Sequence, residues 1–356
     1  MRVGIIGASG YMGEEAARAL ALLPNLEVIP LSRKGDLPRG RAFDLSDPLT
    51  YPAADDLDLL VNASDAARVS PIPFYEHALA RGKLLLETTA DRGAMSALID
   101  RFRGQPSAGC LVLGVGIFPG LSNLVGAAAA AKARPCKRLE VGLRFGPFSR
   151  GGQGMVDLAA TMFRHDSVQV QDHELVPGSP IQDGPVLPFM SANWSTVIVP
   201  FCEPELLHLN RRAPSIVLAV APAPWILRPM FLMLPLALAR AKVFQALMRA
   251  YFALLRRVLF RWRRSPVEIV AVAHNAHTQR RLALKTPDGM RLGGDAIAAV
   301  VQALQERPQR PTGAVPADEL FDLDDILARC RALGATEFEV QDTEATLEPK
   351  PLKKRR

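Results

Sequence analysis

Three glycines near the N-terminus constrain the fold of this chain more than any other feature. Val3 to Ile6 is a short apolar run, and Gly7-Ala8-Ser9-Gly10-Tyr11-Met12-Gly13 follows it. Glu14 to Leu23 then carries Ala16, Ala17, Leu20 and Leu23 at helical spacing, Pro24-Asn25 stops that helix, and Leu26 to Leu31 reads as a second strand. Strand, glycine turn, helix and strand form the unit of a right-handed parallel crossover. In the spacing G-x-x-G-x-x-G, the first glycine permits the tight turn out of the strand. The second lets backbone approach a pyrophosphate, and the third lets the helix pack close to the strand. The helix N-terminus offers unpaired N–H groups and the positive end of its dipole to phosphates. A glycine motif alone is weak evidence. This one follows a strand, opens a helix and heads an alternating sheet, so Gly7, Ala8, Ser9, Gly10, Tyr11, Met12 and Gly13 are read as a dinucleotide site.

The alternation continues. Leu57 to Ala63 is a continuous apolar strand, Tyr75 to Arg81 a helix, Lys83 to Glu87 a strand, Met95 to Phe102 a helix and Cys110 to Val115 a strand. Strands without polar alternation are covered on both faces, as in a parallel sheet. The expected fold class is therefore α/β, a doubly wound parallel Rossmann sheet. After Asn123 the pattern changes. An Ala-rich helix, Leu124 to Ala133, leads to a strand at Arg138 to Phe145, and strand-like runs (Val168 to Val170, Thr196 to Val199, Val267 to Ala273) then stand among frequent glycines and prolines. This reads as an inserted α+β substrate and dimerisation domain. The expected division is 1–122 for the dinucleotide domain, 123–285 for the insertion, 286–340 for a segment returning to the first domain and 341–356 for a basic tail.

Cofactor choice turns on the end of the second strand. NAD sites usually hold an acidic side chain there for the ribose 2′-hydroxyl. This chain has Ser32-Arg33-Lys34, and two cations favour a 2′-phosphate, so NADP(H) is expected over NAD(H). Ligands of such sheets sit beyond the carboxyl ends of the strands. That places Ala63, Ser64, Thr88 and Thr89 at the cofactor, and Asp91, Phe118, Pro119, Gly120 and Asn123 at the substrate. Loop chemistry or helix capping is the alternative for any one of them.

Two families share features with this sequence. The run VGIIGASGYMGEEAARALALLPNLEV is similar to the start of N-acetyl-glutamyl-phosphate reductases and related semialdehyde dehydrogenases, which need a nucleophilic cysteine at the domain junction. Here the junction, Gly114 to Asn123, holds no cysteine, and Cys110 lies inside the preceding strand. The segments LLVNASD, ARGKLLLETTAD (with Glu87 at the usual aspartate position), GVGIFPGLSNLV, GGDAIAAVVQAL and GAVPADELFDLDDILARCRALG resemble the saccharopine dehydrogenase (saccharopine reductase) family. The resemblance covers 1 to about 125 and about 290 to 335, and covers the middle poorly. It implies a Rossmann domain completed by the returning segment. It also implies hydride transfer either at the C–N bond of an amino-acid adduct or at the C=C bond of a hydrophobic, lipid-linked compound. No motif assigns a catalytic acid or base. The alternative is a non-catalytic NADP-binding protein with a membrane-associated or regulatory role.

Residues 225–264 contain nine Arg or Lys and no Asp or Glu. From 242 to 264 a helical wheel sets Phe244, Leu247, Met248, Tyr251, Leu255, Val258, Leu259 and Trp262 against Lys242, Arg249, Arg256, Arg257, Arg261, Arg263 and Arg264. A basic amphipathic helix suits a helix packed on its own domain with its cations solvated; a membrane surface or an interface with a partner or second copy are the alternatives. The prolines of Ala213 to Ala239 argue against a spanning helix there. Overall 43 Lys and Arg face 36 Asp and Glu, an excess that favours anionic partners. Basic residues are not interleaved with stacking aromatics and no helix-turn-helix or zinc signature appears, so nucleic acid is not expected as a partner. The four cysteines form no CxxC pair and no metal site is expected. A small-molecule substrate, a homodimer and a cytoplasmic location, with peripheral membrane contact open, complete the expectation. His165, His274, His277, Glu87, Asp91 and Arg144 are candidate polar groups for catalysis or substrate binding, each with a structural alternative.

Overall fold

The protein was analysed as a computed structural model that describes residues 1–145, 165–222, 265–334 and 336–346, together with Val243, Ala246, Leu247, Ala250 and Leu254. The first half is built from β1 (Arg2–Ile6), α1 (Tyr11–Leu20), β2 (Glu27–Ser32), β3 (Arg41–Ala42), β4 (Leu59–Asn62), α2 (Ile72–Ala80), β5 (Leu84–Glu87), α3 (Arg92–Phe102), β6 (Cys110–Leu113) and α4 (Ser122–Lys132). The chain then passes through β7 (Arg138–Phe145), β8 (Ser167–Gln171), β9 (Glu174–Gly178), β10 (Gln182–Pro188), β11 (Asn193–Ile198), α5 (Glu203–Leu209), β12 (Ile216–Pro222), β13 (Val267–His274) and β14 (Thr278–Thr286). It returns through α6 (Gly289–Glu306), β15 (Gly313–Pro316), α7 (Ala317–Leu320) and α8 (Leu323–Ala332), and ends in β16 (Glu339–Thr346).

The first sheet has the order β3-β2-β1-β4-β5-β6-β15, and every pairing in it is parallel. β4, β5 and β6 are buried at every position, because helices cover both faces. The order reverses between β1 and β4, and a doubly wound sheet binds its ligand at such a switch point. The second sheet is mixed, with the order β10-β11-β12-β7-β13-β14-β16. β7 runs parallel to β12 and antiparallel to β13.

Helix α4 joins the two sheets. Its residues Ala127, Ala129 and Ala130 are buried in one apolar cluster that also holds Val3 and Ile5 of β1 and Val141 and Leu143 of β7. Small side chains let α4 lie close to the second sheet. Gly126 stands opposite Val141, where a Cβ would come within 3.2 Å of the valine methyl. The returning segment enters the first domain in two places: β15 pairs with β6, and α6 packs along α1. Fourteen of the residues of α6 are buried. Asp295 of α6 is among them, and Arg18 of α1 reaches it at 2.6 Å while Thr336 donates to its other oxygen.

One sequence expectation needs correction. The basic tail does not begin at 341, since residues 339–346 form β16, the edge strand beside β14. The strand is almost wholly exposed, so it carries no apolar alternation by which to recognise it. Its acidic side chains meet cations that the tail reading ignored, with Asp342 held by Arg280 and Lys132. The apolar stretch from Ala213 opens with the fully buried strand β12, Ile216–Pro222. The expected amphipathic helix 242–264 falls outside the described residues except at Val243, Ala246, Leu247, Ala250 and Leu254, which are helical and exposed. No helix among the described residues is long and apolar enough to cross a membrane.

The α1–α6 contact generates a paired test. A Cβ on Gly294 would meet the Glu15 carbonyl oxygen at 2.5 Å, whereas one on Gly293 would meet only the flexible end of Met12 at 3.1 Å. Helix propensity favours alanine over glycine by about 1 kcal/mol at both sites, while a backbone clash costs about 1–3 kcal/mol. Urea unfolding should therefore show Gly294→Ala destabilised and Gly293→Ala unchanged or slightly stabilised. Equal effects from the two would contradict the close helix crossing.

Candidate active site

The glycine turn leaves β1 at the switch point. Gly7 has φ +78°, and a Cβ there would stand 2.9 Å from the Ser64 backbone at the end of β4. A Cβ on Gly13 would come within 2.3 Å of the Gly7 carbonyl oxygen, so only glycine lets α1 sit this low on the strand. Gly10 is the N-cap of α1 and offers no side-chain acceptor. Its own N–H donates to the Gly7 carbonyl at 2.9 Å, while Ser9 and Gly10 are exposed. Ala8 is buried beneath them and Met12 is half-buried against Gly293. The turn thus has an open outer side next to first-turn amides that helix geometry leaves without an internal acceptor. That arrangement fits a pyrophosphate. Beyond β2, the Gly35 N–H donates to the Ser32 hydroxyl at 3.1 Å and closes a turn that leaves Arg33 and Lys34 exposed. Hydrogen bonds from Ser46 hold the Asp44 carboxyl below its ordinary range, and Arg33 lies near enough to add to that effect.

A buried polar hub shapes the ends of β4 and β5. Glu87 is fully buried and takes the Asn62 amide at 2.9 Å, the Tyr75 hydroxyl at 2.6 Å and the Thr89 N–H at 2.7 Å. Asn62 in turn accepts from the Ser64 N–H at 3.1 Å and its hydroxyl at 2.6 Å, and the Thr88 hydroxyl donates to the Asn62 carbonyl at 2.8 Å. Ser64, Thr88 and Thr89 are therefore held from behind, with Ala63 and Thr88 half-buried at the surface of the cleft. Burial pushes the Glu87 carboxyl up and the Tyr75 phenol well up, the phenol also because it lies against Glu87. Glu87 faces inward, so the possibility that it orients substrate is withdrawn. Its work is to align the two strand ends.

The junction after β6 turns on Gly116 and Gly120, both at φ +134°. Phe118 lies between them and stacks on Phe145 of β7 with ring centres 4.9 Å apart, while Phe201 meets both rings edge-on at 6.4 Å. Pro119 and Gly120 are buried in the same turn. Asn123 is also buried, its amide donating to the Glu203 carbonyl at 3.4 Å. Asp91 caps α3 by accepting from the Ala94 N–H at 2.8 Å, and His165 of the second domain stands with Nε2 4.0 Å from the same carboxylate. The structure thus brings Ser64, Thr88, Thr89, Asp91 and Phe118 to the ends of adjacent strands. Asn123 is turned into the domain junction.

Other candidates lie elsewhere. Arg144 reaches Glu268 at 3.1 Å and lies 4.6 Å over the Trp194 ring. It shares a face of β7 with Gly142, toward Leu187 and Phe189, and strand alternation turns that face away from Phe145. His274 is tied to Glu140 at 3.3 Å, and His277 is exposed at the β13–β14 hairpin. Cys110 is buried and its thiol is pushed up to about 12, so it cannot serve as a thiolate nucleophile. Among the described residues no group of three or more His, Cys, Asp or Glu side chains is arranged to hold a metal.

Sequence reasoning missed Glu203. It is fully buried at the start of α5 and accepts from the Ser122 hydroxyl at 3.1 Å. Its second oxygen and the side-chain oxygen of Asn123 are buried without a partner among the described residues. Burial raises its pKa to about 7, against which the Ser122 bond and its own backbone work only in part. A glutamate beside a proline at a helix start looks like an ordinary exposed first-turn acid, and only the packing of α5 on α4 removes it from water.

No family model matches the sequence, and comparison with curated proteins finds no match. Solved structures do resemble this one. Apo saccharopine dehydrogenase (L-Glu forming) from Saccharomyces cerevisiae superposes with a TM-score of 0.56 at 10% identity, over 98% of this chain and 100% of that one. The DAP dehydrogenase of C. glutamicum in complex with DAP gives 0.47 at 14% identity, covering 92% and 98% of the two chains. An engineered D-amino acid dehydrogenase bound to NADP+ gives 0.48 at 16% identity, covering 92% and 99%. The first shows a shared fold, a Rossmann domain with an added mixed sheet, and the other two add nothing to it.

Glu203 has a measurable consequence. Below its ordinary value of 4.5 the carboxyl is protonated in both the folded and unfolded states and contributes no pH dependence. Between 4.5 and about 7 the unfolded chain releases the proton while the folded protein keeps it, so stability falls as pH rises. The slope is about 1.4 kcal/mol per pH unit, and the loss persists at higher pH. Glu203→Gln removes this loss. Thermal melts should show the variant gaining on the wild type between pH 5 and pH 8.5, and an identical difference at both would refute the buried acid.

Proposed function

We propose that this protein is an NADP(H)-dependent oxidoreductase acting on a hydrophobic unsaturated substrate. One observation carries the reading: an open glycine turn at the switch point of a parallel sheet, flanked by two exposed cations where a 2′-phosphate would lie. In this proposal Gly7 to Gly13 hold the pyrophosphate, Arg33 and Lys34 the 2′-phosphate, and Ala63, Ser64, Thr88 and Thr89 line the path to the nicotinamide. The bound nicotinamide would supply or accept a hydride. The hub behind Ser64 and Thr89 keeps these groups in place before the cofactor arrives.

The apolar branch of the substrate reading is favoured over the amino-acid adduct. An adduct of two amino acids carries carboxylates, which call for cations at the cleft. Among the described residues Arg92 is engaged by Glu205 at 2.7 Å, and Arg144 is held by Glu268 on the far face of the second sheet. What borders the junction is the aromatic group Phe118, Phe145 and Phe201. The test follows absorbance of NADPH or NADH with a medium-chain 2-enoyl thioester and with keto acid–amine pairs. Turnover of the thioester with NADPH is expected. Arg33→Asp should lower kcat/KM for NADPH roughly 10–100-fold, the worth of one charge-assisted hydrogen bond to a phosphate. Preference for NADH would overturn the cofactor assignment. Absence of any turnover with tight NADPH binding would favour a non-catalytic binding protein.

A second reading, peripheral contact with an anionic membrane, has its own observation. Val243, Leu247 and Leu254 are helical and exposed by 74%, 63% and 60%, and their spacing is that of positions on one side of an α-helix. They belong to the segment 225–264, which has nine cations and no acid. Apolar side chains beside cations suit the boundary between headgroups and acyl chains. Co-sedimentation with phosphatidylserine vesicles at low salt is expected, with release at high salt and weakened binding in Leu247→Glu. Failure to sediment at low salt would remove this reading.

A further inference from the structure

We propose that His165 is the proton donor of the reaction, with Asp91 as the carboxylate that orients it; this rests on the cofactor cleft proposed above. The two residues come from different domains. Asp91 lies just beyond Thr88 and Thr89 at the end of β5, and a bridge to Phe201 ties it to the second domain. His165 arrives from the second domain immediately before β8. Its ring lies against Gly93, where a Cβ would come within 2.5 Å of Cε1 and 2.7 Å of Nε2. A side chain at position 93 would displace the imidazole from this place, where Nε2 stands 4.0 Å from the Asp91 carboxylate. Nδ1 is the ring nitrogen left for another partner.

The surroundings separate His165 from the other titratable groups here. Its side chain is 39% exposed, whereas that of Asp91 is 10% exposed. Arg92, next to Asp91 on α3, is held by Glu205 of α5 and donates to the Asp166 carbonyl at 3.2 Å. Glu205 also accepts from Ser96 at 2.6 Å. Glu203 is sealed in the junction. His165 therefore combines access to solvent, a ring packed on Gly93 and a buried carboxylate 4.0 Å away. Histidine is also the side chain whose ordinary proton exchange falls near neutral pH. An imidazole oriented by a carboxylate is a recurring proton-transfer device, because the carboxylate fixes the ring and stabilises its charged form.

Reduction of a conjugated C=C bond needs one hydride and one proton. A hydride from the dihydronicotinamide forms a C–H bond at the β-carbon, and the π electrons move toward the carbonyl. The α-carbon then takes the proton from Nδ1 of His165. The neutral imidazole regains a proton from solvent at its exposed edge. The net change is one hydride and one proton added across the bond.

The test reads position and chemistry separately. Diethyl pyrocarbonate labelling of each histidine is followed by peptide mass spectrometry in the free protein, with NADP+ and with NADP+ plus the enoyl thioester. Intrinsic fluorescence reports NADP+ binding independently. The expected result is severalfold slower labelling of His165 in the ternary mixture, with exposed His277 unchanged. His165→Gln should keep its NADP+ affinity while kcat falls roughly 10²–10⁴-fold, the usual range for a lost general acid. Where the wild type oxidises NADPH with the thioester, unchanged labelling of His165 in the ternary mixture would overturn this assignment alone. So would a His165→Gln variant that retains kcat, or one that loses NADP+ affinity and kcat together, which marks a structural residue. NADP+ binding without such turnover would overturn the substrate reading and this assignment with it. No NADP+ binding by the wild type would instead overturn the cofactor reading, and this assignment with it.

Discussion

The rest of the structure depends on the contact between Gly13 and the carbonyl of Gly7. A Cβ at 13 would lie 2.3 Å from that oxygen, so the first helix descends onto the first strand only because residue 13 has no side chain. The low seat of α1 has two consequences. It points the start of the helix across the gap between β1 and β4, where the strand order reverses. It also brings the outer side of α1 within reach of α6, whose Gly294 stands against the Glu15 carbonyl. One steric permission near the N-terminus thus sets both the open glycine turn and the docking of a helix from the far end of the chain.

The second organising element is polar. Glu87, Asn62 and Tyr75 lie fully or almost fully buried, and each hydrogen bond among them would cost about 1–3 kcal/mol to leave unmade. The hub satisfies them by tying the end of β4 to the end of β5 and to α2. An apolar core would hold these strands side by side without fixing the loops beyond them. Directional bonds to the Ser64 and Thr89 amides do fix those loops, and they are the loops that border the cleft. Such a network suits a site that must be formed before its ligand binds.

The two sheets meet through α4, the aromatic junction and α5. Alanines on α4 allow close approach, while Phe118 stacked on Phe145 closes the junction from the side of the cleft. Placing Glu203 inside this interface is energetically unfavourable for the charged carboxylate and leaves a group that titrates to about 7 between the domains. Among the described residues Arg92, beside Asp91 at the junction, is matched by Glu205.

Local pattern determined a large part of this protein. The glycine spacing, the apolar runs of β4, β5 and β6 and the helical repeats between them dictated a parallel α/β sheet, because a strand covered on both faces has no polar alternation and a helix on a sheet keeps its period. β7 and β13 were legible for the same reason. The edge strand β16 was not, since exposed polar residues acquire strand character only from the neighbour they pair with. Nor could sequence assign Glu87 to a buried hub, bury Glu203, turn Arg144 away from the cleft or bring His165 to Asp91. Each of these is a relation between residues distant in the chain. Burial and charge pairing arise only when strands and helices from distant parts of the chain pack together, and so only the tertiary structure decided which polar residues are structural.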